Sequence, residues 1–257
     1  MRQLMAKLRI IRGFRVLAIS AVRVRGRRIS ATGGTTMQEW QRIDERVRAR
    51  ADWAAIEARL PVVRSAAELV AMGDDRYLSQ ICRRVFRAGL KHALVDAKWP
   101  AFEQAFHGFD PARVILMSDE QLEAQMHNRA LIRHWGKLKS VRHNALLVVT
   151  LAERYGGFGR LLAAWPTADI IGLWALLKKE GAHLGGHSGP AFLRQVGKDT
   201  FRLSDDVVAA LRQQGVVERP PTAQRDLRRV QEVFNHWHAQ SGLPLSHLSL
   251  LLAHSLQ

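Results

Sequence analysis

The sequence holds one cysteine, Cys82. That number excludes an intrachain disulfide and a four-cysteine iron–sulfur cluster, and it points to a reducing compartment such as a bacterial-type cytoplasm. No apolar run reaches the ~18 residues that a membrane-spanning helix needs. No segment alternates apolar and polar residues over the length of a strand, and no repeat is present. Acidic residues are missing altogether from residues 1–36, which carry nine arginines and lysines. Three readings of that basic extension stay open: a disordered segment preceding a true start at Met37, an organellar targeting segment, or a DNA-binding arm.

What is present is the makeup of a globular chain. Hydrophobic residues form 47% of the 257, enough to bury a core as one large domain or two lobes. Net charge is +16, of which +7 belongs to residues 37–257. A modestly basic domain suits a polyanionic partner touched at a few points. Helical periodicity predicts helices over 37–60, 66–71, 76–90, 92–106, 131–155, 166–179, 188–196, 205–213, 222–240 and 245–256. Asp74 and Asp75 are read as caps of the helix after them, Asp110 as the cap of a helix opening at Pro111, and Ser118 with Gln121 as a capping box. Lys98-Trp99-Pro100 is a candidate break, and Gly156-Gly157 a stop. The whole is all-α, with two helical lobes and a cleft between them.

The most informative stretch is GAHLGGHSGPAFLRQVGKDTFRLSDDVV, residues 181–208. Gly185, Gly186 and Gly189 offer positive φ and close approach of backbone to another molecule. Ser188 is placed to N-cap the helix that follows, whose unpaired N–H groups form an anion site together with His187. Ser204-Asp205-Asp206 opens the next helix, where two carboxylates either cap it or do chemistry. The helix over 76–90 buries Leu78, Ile81, Cys82, Val85 and Phe86 and presents Arg76, Arg83, Arg84 and Arg87 on its other side, as a solvated basic face or as phosphate contacts. Cys82 falls on the core side.

Four segments in order carry a family resemblance: LSQICRRVFRAGL, FEQAFHGFDPARVILMSDEQLEAQ, LIRHWGKLKSVRHNA and the glycine turn GAHLGGHSG. From Tyr77 to about Val208 the chain resembles the type I 3-methyladenine DNA glycosylases of the helix-hairpin-helix superfamily. The resemblance implies a helical domain over 37–257 with its hairpin motif at about 166–198. It implies a monofunctional glycosylase of base-excision repair that hydrolyses the N-glycosidic bond of alkylated purines in double-stranded DNA after flipping the base out. It gives the turn residues Gly185, Gly186, His187, Ser188 and Gly189 to the phosphate backbone. Asp205, with Asp206 as fallback, becomes the carboxylate that stabilises an oxocarbenium-like sugar.

Departures from the family pattern fall in the base pocket. Arg84 and His92 stand where the family has Glu and Trp, and Arg84 has the wrong sign for a cationic base. Phe86, Trp99 and Trp135 are the remaining candidates for stacking. The family's structural zinc has no cysteines here, and His236, His238, His247 and His254 lack a completing ligand, so no metal or other cofactor is expected. Pro190 replaces the lysine of bifunctional relatives, which argues against Schiff-base chemistry. No membrane contact or obligate protein partner follows, and the expected state is a monomer. The competing readings are a non-catalytic helix-hairpin-helix DNA-binding protein and a helical protein-interaction module.

Overall fold

The computed structural model describes residues 39–256, so the expectations for residues 1–36 lie outside the described residues. Every regular element among the described residues is helical, as expected of an all-α chain. Helices α1 (Trp40–Arg48) and α2 (Trp53–Glu57) are followed by α3 (Ala66–Ala71), α4 (Asp74–Arg87) and α5 (His92–Ala105). Then come α6 (Pro111–Val114), α7 (Asp119–Ala124), α8 (Trp135–Tyr155) and α9 (Phe158–Ala164). The chain closes with α10 (Ile170–Glu180), α11 (Ser188–Gln195), α12 (Asp205–Gln213), α13 (Gln224–Ser241) and α14 (Leu245–His254).

The helices pack as two sets. One runs in chain order from α3 to α9, with α8 lying against α4, α6 and α9. The other joins α10 to α14, and α1 packs into it against α13 and α14. Helix α11 bridges the sets, touching α10 on one side and α4 on the other. The bridge has a simple origin. The apolar stripe of α4, with Tyr77, Leu78, Ile81, Cys82, Val85 and Phe86 all buried, spans more than one neighbour can cover. Each such side chain contributes roughly 1.5–3 kcal/mol on burial. Burial also pushes the Cys82 thiol far above its ordinary pKa, with the Glu103 carboxylate adding to the shift.

An aromatic pile fills the space between α4 and α5. Trp99 stacks on Phe109 at 5.3 Å and on Phe102 at 5.0 Å, and Phe86 lies 4.5 Å from Phe102. Trp99 Nε1 donates to Ser79 Oγ, which donates onward to Glu103. That packing carries α5 unbroken through Pro100, despite the missing amide donor. Outside the pile, Asp96 of α5 ties to α4 by accepting from Arg83 and Arg87.

Several predicted boundaries differ from the structure. The 37–60 pattern predicts one helix, but α1 stops at Arg48 and α2 begins at Trp53. Between them Arg50 makes two bonds of 2.8 and 2.9 Å to Asp52, a local closure that replaces a turn of helix. The 131–155 helix starts only at Trp135, because His134 caps it by accepting the Lys137 N–H on Nδ1. Pro166 does not open a helix: a short 3-10 turn over Thr167–Asp169 precedes α10. Helix α9 is an element the periodicity did not reveal. Gly73, not an aspartate, is the N-cap of α4, and Asp74 instead accepts the Phe158 N–H and so caps α9 across the fold. Asp110, and Ser118 with Gln121, cap as expected, and Gly156 ends α8 in the left-handed conformation.

One point of close approach joins α3, α4 and α9. The Leu69 carbonyl at the end of α3 accepts the Tyr77 hydroxyl at 2.7 Å, and burial raises the Tyr77 pKa to about 12. Gly159 lies against the same carbonyl, and a Cβ there would overlap it. Gly159→Ala is therefore expected to destabilise the fold by about 1–3 kcal/mol, read as a lower denaturant midpoint at unchanged slope. Asp96 gives a pH test. Hydrogen bonds from Arg87 and then Arg83 hold its carboxyl below the usual range. Its contribution is thus present above the unfolded pKa of about 3.9 and is lost as pH falls through the folded value. Asp96→Asn is expected to cost roughly 0.2–1 kcal/mol near pH 7, with the difference from wild type vanishing in acid.

Candidate nucleic-acid interface

Residues 181–187 form a tight hairpin between α10 and α11. Leu184 points inward and is buried, while Gly186 and His187 are exposed. His183 and Gly186 take the left-handed backbone, with φ of 59° and 55°. Positive φ among the predicted glycines is thus confined to Gly186. Gly189 has a different reason to be glycine: a Cβ there would come within 2.8 Å of the Leu184 carbonyl. Gly185 packs against the Lys178 side chain, where a Cβ would meet Cγ at 3.3 Å.

Ser188 is not the N-cap. It is the first residue of α11, and His187 precedes it with helical backbone and no side-chain cap bond. Ser188 N donates to the Gly185 carbonyl at 3.1 Å, which closes the turn. The N–H groups of Gly185, Gly186 and His187 find no acceptor among the described residues. Three successive backbone donors beside a helix start can receive the oxygens of an anion.

The turn is held from behind by two residues of α8 that the sequence pattern did not single out. Asn144 is buried and pairs with the backbone of Ala182 in both directions: its Oδ1 accepts the Ala182 N–H at 2.9 Å, and its Nδ2 donates to the Ala182 carbonyl at 3.2 Å. Next to it, His143 Nε2 lies 3.1 Å from the Glu180 carbonyl. The available signal was a polar side chain on the core face of an otherwise apolar helix stripe, which must find a partner.

Asp205 and Asp206 open α12 behind the Ser204 cap, whose hydroxyl accepts the Val207 N–H. Both carboxylates are exposed. Their position in the first turn suits the positive end of the helix, and both are free to meet a ligand from solvent. Neither engages another side chain among the described residues.

The pocket candidates separate. Phe86 and Trp99 belong to the aromatic pile and are buried, so neither offers a face to a base. Trp135 is 36% exposed at the start of α8, and His92 is exposed at the start of α5. Arg84 stands on α4, half-buried, with Nε hidden from solvent and without an acceptor. The other three arginines of the predicted basic face are spoken for: Arg76 pairs with Asp75 and Glu103, Arg83 and Arg87 with Asp96. Among the histidines weighed as metal ligands, His238 Nδ1 is within 2.7 Å of the Leu243 carbonyl and His247 Nε2 within 2.9 Å of the Pro61 carbonyl. A surface pocket of about 470 Å³ lies between α1 and the end of α13, lined by Trp40, Asp44 and Gln240 among others, and none of the candidate residues reaches it.

Comparison with known proteins gives these features a context. The DNA-3-methyladenine glycosylase of Haemophilus influenzae is 36% identical over 72 residues, which are 28% of this chain and 39% of that protein. DNA-3-methyladenine glycosylase 1 of Escherichia coli is 33% identical over 72 residues, 28% of this chain and 38% of the relative. The alignments thus span about two fifths of these curated relatives. Among solved structures, 3-methyladenine DNA glycosylase I from Staphylococcus aureus superimposes with a TM-score of 0.46 at 19% identity, covering 61% of this chain and 90% of that one. The profile of the family described as methyladenine glycosylase matches residues 69–177, a span that takes in α4 through most of α10 and ends just before the hairpin turn. Residues 69–177 of this chain are thus similar to the methyladenine glycosylase family.

Proposed function

We propose that this protein is a monofunctional DNA glycosylase that hydrolyses the N-glycosidic bond of alkylated purines in double-stranded DNA. The observation that carries the proposal is the family match over residues 69–177, with curated relatives named as DNA-3-methyladenine glycosylases. The hairpin after that span supports it: free backbone donors at Gly185–His187 suit a phosphate that must be gripped while a base leaves the stack. Asp205, exposed on the first turn of α12, is the group we assign to the sugar, with Asp206 as the alternative. A carboxylate near C1′ would stabilise the positive charge that develops as the base departs and would orient the attacking water.

A second reading is a DNA-binding relative without hydrolytic activity. It is favoured by one observation: Arg84 brings a positive charge to the helix from which the resemblance implies a pocket carboxylate. A cationic 3-methyladenine would be repelled there.

Release of free base from methylated duplex DNA separates the two. The glycosylase reading expects 3-methyladenine, 7-methylguanine or another damaged base in the supernatant. It also expects Asp205→Asn to lower the single-turnover rate at least tenfold with duplex affinity retained, and Asp206→Asn to have the smaller effect. No base released from any alkylated substrate overturns it in favour of the second reading. Asn144→Ala tests the support of the turn. Loss of two buried hydrogen bonds is expected to cost about 1–3 kcal/mol of stability. Duplex affinity measured well below the melting temperature should weaken as well, since the Ala182 backbone is no longer held.

A further inference from the structure

Residues 196–204 join α11 to α12 without a helix of their own. Connections of this kind usually run over the surface. In this one Gly197, Lys198, Thr200 and Phe201 are buried, and each is held by a distant part of the chain. The Gly197 carbonyl accepts the Arg64 N–H at 2.9 Å, and Lys198 Nζ donates to the Trp165 carbonyl at 2.6 Å. Thr200 Oγ1 accepts from Trp174 Nε1 at 3.1 Å, and the Phe201 ring stacks on Phe234 at 4.4 Å. The segment ends at Ser204, which caps α12, and Asp205 is the first residue of that helix.

Arg194, on the last turn of α11, draws this connection and α14 together. Its Nη2 donates to the Thr200 carbonyl at 3.0 Å and to the Ser249 hydroxyl, and lies 3.3 Å from the Ser246 carbonyl. The same Ser249 hydroxyl accepts the Arg202 N–H at 3.4 Å. None of these acceptors is charged, and Arg194 Nε is hidden from solvent without an acceptor. Asp199, the nearest acid in the sequence, instead accepts the N–H groups of Leu245 and Ser246 at the start of α14, at 3.0 and 2.9 Å. Burial, then the like charge of Arg202, lowers the Arg194 pKa to about 10 against the pull of Asp199, so the group remains a cation near neutral pH. An apolar side chain would fill such a space without that cost. It would not gather acceptors from two separate segments onto one planar fork.

These bonds reach Asp205 by two routes. Along the chain, the Thr200 carbonyl and the Arg202 N–H belong to the segment that delivers Asp205. Across the fold, α14 packs against α12. At the opposite end of α11, about 12 Å away at ~1.5 Å per residue, stands the turn Gly185–His187. One helix thus has the proposed phosphate grip at its start and the proposed sugar carboxylate beyond its end. We propose that Arg194 is a positioning residue, which sets where the Asp205 carboxylate stands relative to the hairpin turn. The inference rests on the proposed function, since only there does Asp205 act on a sugar. A displacement of about 1 Å is enough to cost up to ~100-fold in rate. Duplex affinity does not pass through Arg194, because the turn is held separately by Asn144 and by the buried Leu184.

The test uses the full chain with Arg194→Met and the milder Ser249→Ala, each alone and combined with Asp205→Asn. Base release from methylated duplex DNA is followed in single turnover at saturating enzyme, well below every variant's melting temperature. Arg194→Met is expected to lower the rate constant by about ten- to a hundredfold, with the amplitude of released base and the duplex affinity unchanged. Ser249→Ala, which leaves the guanidinium its two carbonyls, should give a smaller fall in the same direction. Added to Asp205→Asn, neither should lower the rate further, because the group being positioned has already lost its charge. A fall in amplitude at an unchanged rate constant makes Arg194 a purely structural residue and overturns the inference, as do losses that multiply with that of Asp205→Asn. If Arg194→Met does not fold, Ser249→Ala decides alone, and a wild-type rate constant there overturns the inference. Release that Asp205→Asn leaves unaffected also overturns it, and all of these results leave the glycosylase reading intact. Wild-type chain that frees no base overturns the glycosylase reading, and this inference with it.

Discussion

One helix sets the terms for the rest of the molecule. Helix α4 is so apolar along one side that α8, α5 and α11 must all cover it, and so basic along the other that its four guanidiniums need more acid than its own Asp75 supplies on that side. Asp75, Glu103 and Asp96 answer three of the four. The placement of α5 follows from this, since it brings Trp99 to the apolar side and Asp96 and Glu103 to the charged side of the same partner. The placement of α11 follows as well, and with it the hairpin turn that α11 carries. Packing and charge pairing thus fix where the candidate interface stands before any ligand arrives.

The hairpin shows how a surface loop is made rigid without being buried. Its tip is open, but Leu184 is tucked into the core and Ala182 is bonded on both backbone groups by Asn144. Asn144 belongs to the matched segment 69–177 and the turn does not. The matched segment therefore serves as the scaffold that orients a loop lying just outside it.

Much of this was legible in the sequence because the determinants are local. Ser118 and Gln121 cap within four residues, Asp110 caps beside Pro111, and the stripe of α4 repeats at helical spacing. What was not legible depends on partners far along the chain. Helix α9 is capped by Asp74, 84 positions away, so its start carries no nearby signal beyond Gly157. His134 caps α8 with a ring nitrogen, an uncommon choice that periodicity passes over. Ser188 has the right chemistry for a cap but stands one position too late, because the turn continues helically through His187. At the candidate site, the unusual sign of Arg84 could be read from the sequence. The absence of a carboxylate beside it required knowing where Asp96 is spent.

Cys82 lies 1% exposed in the stripe of α4, and burial keeps its sulfur protonated. Reagents that methylate nucleic acid also attack soft anionic sulfur, and the thiolate is the form that reacts. A chain whose sole thiol is sealed in this way offers such electrophiles no thiolate to consume.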